Sequence, residues 1–221
     1  MIDFSKARTI MVDCQVRTVD VTELELLSAM LSVPREEFVP ADARPLAYID
    51  EDIPLKSLAN SERYLMEPGP FGRLLQLAAL QKDDVVLDVG CGSGYSSAVM
   101  SLLCTSVVAV EEDDALVEFA SNKLNELEYH GAVVVKNPLT EGYPSEGPYD
   151  VIFLGGAVDK IPDAIFDQLK EDGRLVAVEG MGNAAIAKLY FKEGGKISGQ
   201  FAFNCSIQPL PGFQNEPEFV F

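Results

Sequence analysis

A chain of 221 residues with 48% hydrophobic content makes one ordinary domain with enough apolar material for a core, and it needs no disordered region. Its 17 basic and 35 acidic residues leave a formal charge of -18, which repels a phosphate backbone and excludes nucleic acid as a natural partner. Cys14, Cys91, Cys104 and Cys205 show neither paired spacing nor a metal-ligand pattern with the single histidine, His130, so reduced thiols, no disulfide and no metal are expected.

From the N-terminus, Met1 to Arg8 lacks a charged-then-apolar leader and no apolar run approaches membrane-spanning length, so a cytoplasmic protein with no membrane partner is expected. Residues 3–31 read as two helical pieces. The second opens at Thr22-Glu23-Leu24-Glu25 as a capping box, with Val21 and Leu26 as a hydrophobic staple and Leu24, Leu27 and Leu31 as its apolar stripe. Prolines at 34, 40 and 54 keep the next stretch irregular, and its length and acidity suit either a cap on the substrate side or a tether onto the sheet.

Phe71 to Leu80 is helical, and Val85 to Val89 is an apolar run suited to a strand covered on both faces. It breaks into Gly90-Cys91-Gly92-Ser93-Gly94, after which Ser96 to Leu103 resumes with helical spacing. A strand, glycine turn and helix in this order let backbone pass close to a ligand and offer unpaired N–H groups to it. The same glycines would also suit a plain structural turn. Tyr95 stands where a dinucleotide fingerprint needs its third glycine, which leaves the pattern Asp88-x-Gly90-x-Gly92-x-Gly94. The next run, Ser106 to Val110, ends in Glu111-Glu112, about where a strand-end carboxylate would accept ribose hydroxyls; Glu111 is taken as that group.

Asp113 or Asp114 opens a helix whose Leu116, Phe119, Ala120, Leu124 and Leu127 share one face and which ends near His130-Gly131, leaving His130 exposed and without a role. Strands follow at 132–135, 149–154 and 173–178, with a helix at 161–169. Residues 187–191 and 201–205 flank Gly194-Gly195 as a hairpin. Alternating strands and helices predict an α/β fold with a doubly wound, mostly parallel sheet.

The loop Asp88 to Gly94 resembles that of S-adenosylmethionine-dependent methyltransferases. Arg8 to Val16, Leu26-x-x-Ala29-Met30, Val33-Pro34-Arg35-Glu36-x-Phe38-Val39-Pro40, Ala47-Tyr48, Ile53-Pro54-Leu55 and Glu67-Pro68 further resemble, in order and spacing, the protein-L-isoaspartate O-methyltransferases, with likeness continuing to about Val178. The resemblance implies a single domain over 1–221. Residues 1–67 would form an N-terminal helical and irregular cap, and 68–221 a seven-stranded Rossmann-like core closed by a C-terminal antiparallel hairpin. It implies S-adenosylmethionine as cofactor, held by Asp88, Gly90, Cys91, Gly92, Gly94, Tyr95, Glu111 and Glu112 with Pro138, Leu139 and Gly155, and it implies an isoaspartyl protein or peptide as substrate. The oligomeric state is left open, with a monomer as the default.

Two departures bear on that substrate. Aligned on Pro68, the family's serine in its Thr-Ile-Ser-x-Pro segment falls on Met66, so the catalytic position carries a thioether in place of a hydroxyl; the family's Gly-Asp-Gly falls on Asn137-Pro138-Leu139. The expected activity is carboxyl methyl transfer to altered aspartyl residues in protein repair. The alternatives are a relative that methylates another acceptor and one that keeps the fold as a binding protein.

Overall fold

The computed structural model describes residues 2–215, so Met1 and residues 216–221, the two ends of the expected domain, lie outside the described residues. Helix α1 (Phe4–Met11) runs on through a wider turn, Val12–Val16, and a tight one, Arg17–Val19, before α2 (Leu24–Ser32). The expected capping box does not form. The amides of Thr22 and Glu23 instead donate to Gln76 Oε1 at 2.7 and 3.1 Å, so a side chain from a distant helix satisfies the orphan donors. Leu24 is consequently 74% exposed, and the buried stripe is Leu26, Leu27, Ala29 and Met30.

Residues 33–66 hold short turns and one two-residue pairing, β1 (Ile53–Pro54) against β2 (Tyr64–Leu65). Helix α3 (Pro68–Ala78) starts with proline at its first position, where the missing N–H costs nothing. The repeat then runs β3 (Val85–Val89), α4 (Tyr95–Ser101), β4 (Ser106–Glu111), α5 (Asp114–Glu126), β5 (Ala132–Lys136), β6 (Tyr149–Val158), α6 (Asp163–Asp167), β7 (Leu169–Glu179), β8 (Ile186–Glu193) and β9 (Lys196–Asn204). Asp113 caps α5 by accepting from the amides of Ala115 and Leu116, and the helix ends four residues before His130, which is exposed. Gly194 and Gly195, both at positive φ, make the tight β8–β9 turn.

The seven-stranded sheet has the order β5-β4-β3-β6-β7-β8-β9, parallel from β5 to β7 and antiparallel across the last two pairings. Successive residues point to opposite faces: Val86, Val151, Phe153 and Val176 join one buried cluster with α1 to α5, while Leu87, Ile152, Leu154 and Leu175 join another beneath α6 and the C-terminal segment. The cap and the core thus share one apolar cluster. The strand order reverses at β3, and its carboxyl end is where an open α/β sheet leaves a crevice. Phe153 sits at the centre, edge-on to Phe71 at 6.4 Å. Phe153→Ala should cost about 3–5 kcal/mol in urea unfolding, the loss expected of a buried phenyl whose neighbours cannot close the void.

Candidate active site

The glycine loop leaves the carboxyl end of β3 with Gly90, Gly92 and Gly94 all at positive φ. Each glycine answers to a different neighbour. A Cβ on Gly90 would collide with Leu210, one on Gly94 would press on Ala120 of α5 at 3.1 Å, and one on Gly92 would touch only Leu55 at 3.4 Å. Gly94 therefore serves helix packing, whereas Gly90 and Gly92 face the crevice. Gly155 on β6 backs onto the loop, since its Cβ would lie 2.6 Å from the Gly90 carbonyl.

Asp88 points from β3 to the start of α4, where Ser96 and Ser97 each donate a hydroxyl at 2.7 Å to Oδ2. Its Oδ1 is buried with no partner. Burial pushes the carboxyl up to about 6 against the pull of those two hydroxyls, with the nearby Glu111 charge adding to the rise.

Glu111 is 0% exposed. Its Oε2 accepts from Gly92 N and from Arg63 Nη2, both at 2.9 Å, and its Oε1 accepts from the amides of Glu112 and Asp113 at 3.0 and 3.3 Å. Arg63, 5% exposed, also donates through Nη2 to the Gly90 carbonyl at 2.9 Å. The group expected to receive a ribose is thus fully engaged by the protein itself. Glu112 is exposed and reaches only the Leu139 amide, at 3.5 Å; Leu139 is buried and Pro138 exposed in the turn beside it.

Met66, Gly90, Cys91, Tyr95, Ser96 and Gly155 do converge, on a cavity of about 30 Å³ walled also by Phe71 and β2. Arg35 fixes one wall: it is fully buried, donates to the Met66 carbonyl at 2.7 Å and lies 5.0 Å over the Tyr95 ring. Burial raises the Cys91 thiol well above its ordinary range and raises the Tyr95 hydroxyl as well. Larger hollows, about 440 Å³ between α3 and the β8–β9 pair and about 630 Å³ beside Gln168, do not touch the glycine loop.

A sequence model described as protein-L-isoaspartate(D-aspartate) O-methyltransferase matches residues 8–213. The chain belongs to the protein-L-isoaspartate O-methyltransferase family. Members from Koribacter versatilis and Petrotoga mobilis are each 32% identical to it, over 96% and 95% of this chain and 93% and 98% of their own. A solved protein-L-isoaspartate O-methyltransferase superposes with a TM-score of 0.78 at 26% identity, covering 94% of this chain, while this chain spans 65% of that one. A Plasmodium falciparum chain solved in complex with S-adenosyl-L-homocysteine shares the fold, with a TM-score of 0.77 at 18% identity over 95% of this chain and 99% of that one.

The backbone frame of this family member suits a sulfur nucleoside, with a glycine loop at the strand end, an open face at Gly92, a strand-end carboxylate and an orphaned Asp88 oxygen. The side chains do not. The cavity has room for one or two waters, against roughly 300–1,000 Å³ for a ligand pocket. Leu210 and Arg63, neither of them singled out in the sequence, stand within 3.0 Å of where a Cβ on Gly90 would lie, and Leu55 within 3.4 Å of one on Gly92. Arg63 carries no motif signal; only its burial marks it.

Two measurements check this geometry. Glu111→Gln should strip the counter-charge from a buried guanidinium and lower stability by about 3–5 kcal/mol in denaturant unfolding. For Asp88, the unfolded chain loses its proton near 3.8 and the folded chain near 6, so the folded state binds more protons between them and stability falls as pH rises across that window. Asp88→Asn removes this slope, so its stability relative to the parent should improve from pH 4 to pH 6.5 by about 2 kcal/mol.

Proposed function

We propose that the chain is an S-adenosylmethionine-dependent carboxyl methyltransferase acting in the cytoplasm on L-isoaspartyl residues of damaged proteins. One observation carries this reading: the glycine loop of Gly90 to Gly94 stands at the carboxyl end of β3 in a chain matched to the family across residues 8–213. The expected absence of a nucleic-acid partner rests on the charge of -18, and that of a membrane partner on the lack of a long apolar run; no helix among the described residues is long and apolar enough to cross a membrane.

The titratable groups around the cavity favour a carboxylate acceptor over an amine. Cys91 and Tyr95 are held protonated by burial, and Asp88 is turned into α4, so nothing lining the cavity serves as a base near neutral pH. An isoaspartyl carboxylate is already ionised there and needs none. The contribution of this chain is then to position and shield the acceptor beside Met66, whose backbone Arg35 and the β1–β2 pairing hold in place.

A second reading, a relative that keeps the fold as a binding protein, draws support from the Arg63–Glu111 ion pair in the crevice. Incubation with methyl-labelled cofactor and an isoaspartyl peptide separates the two. The parent should transfer label slowly, and Met66→Ser, by restoring a hydroxyl worth about 1–3 kcal/mol, should raise turnover roughly fivefold to a hundredfold with little change in cofactor affinity. Bound cofactor with no transfer from either protein would leave the binding reading.

A further inference from the structure

The nucleoside crevice already contains a cation of the protein's own. Arg63 Nη2 sits between the Gly90 carbonyl and Glu111 Oε2, 2.9 Å from each, on the loop and on the carboxylate that a ribose would have to reach. We propose that Arg63 is an internal occupant of the ribose subsite, and that a sulfur nucleoside binds only when Arg63 withdraws from Glu111. This rests on the cofactor reading given above, and it makes Arg63 the residue that sets how tightly the chain holds that cofactor.

Three features argue for a displaceable plug rather than a fixed strut. First, Arg63 is held through one nitrogen: Nη2 makes both side-chain bonds, while Nε is buried with no partner among the described residues, so the guanidinium is only partly satisfied where it lies. Second, Glu111 oxygens accept nothing that a hydroxyl pair could not replace at the Arg63 position, since the remaining bonds come from backbone amides of Gly92, Glu112 and Asp113 and would persist. Third, the turn just before Arg63 is latched by a single side chain. Asp113 Oδ2 accepts from the amides of Asn60 and Ser61 at 2.7 and 3.0 Å and from the Ser61 hydroxyl at 2.8 Å. Desolvation acts to raise the Asp113 carboxyl, but these bonds and its helix cap hold it below the usual range. Letting go of Asp113 frees residues 60 and 61 and leaves the cap of α5, which uses Oδ1, intact, while the Arg63 backbone stays held by the Leu55 amide at 2.8 Å, so that only its side chain swings out.

A site whose competent form is a minor population binds with its affinity reduced by that fraction, and removing the competitor restores the loss. Calorimetry with S-adenosylhomocysteine on the full chain, on Arg63→Ala and on Arg63→Gln tests this. Both variants should bind at least about tenfold more tightly than the parent. The glutamine variant keeps a neutral donor near Glu111 in case the alanine variant fails to fold. On the parent itself, hydrogen exchange should show the Asn60 and Ser61 amides losing protection when the nucleoside is added. If the parent binds and neither variant binds more tightly, or if those two amides become more protected, Arg63 is no plug while the cofactor reading stands. If none of the three proteins binds the nucleoside, the cofactor reading falls and takes this inference with it.

Discussion

The carboxylate of Glu111 has no exposed surface and four donors, and the region around the crevice takes its position from that one group. It ends β4, straightens the turn into α5 through the Glu112 and Asp113 amides, and pins the glycine loop through Gly92. Its buried charge is met by backbone amides and by a counter-ion, Arg63, from a different part of the chain. The cost of an uncompensated buried carboxylate therefore draws the segment before β2 over the sheet end and closes the crevice.

The same segment is set from behind by a second buried cation. Arg35 ties the turn at 35–37 to the Ala47 and Met66 carbonyls, while Glu36 receives Arg8 and Tyr48. The N-terminal segment is thus hydrogen-bonded to itself and packed into the same apolar cluster as the sheet. Next to Met66, burial and the neighbouring Asp50 and Asp52 raise the Glu67 carboxyl.

Reading the chain by period and spacing placed every strand of the large sheet and the glycine loop, because buried parallel strands are short apolar runs and positive φ selects glycine. It misjudged α2. Thr22 and Glu25 have the spacing of a capping box, yet Gln76 from α3 takes the donors, and with that cap Leu24 faces solvent. Gly94 matched a ligand motif but owes its small size to Ala120. At the site, Met66, Gly90, Cys91, Tyr95 and Gly155 were legible and do meet around one cavity, whereas Arg63 and Leu210 were invisible because they come from irregular segments with no periodicity to read, and Leu55 showed only as part of a family motif with no role attached.

The sequence by itself determined the fold class, the family and the position of the loop, since these rest on local patterns of apolar residues, glycines and motif spacing. Whether the carboxylate at the end of β4 is free to meet a ligand was decided only by the tertiary structure. That depends on which residues 48 positions away in the chain, as Arg63 is from Glu111, find the least costly place to bury a charge. Ion pairing across such a span is fixed by packing and desolvation and leaves no periodic mark on the chain.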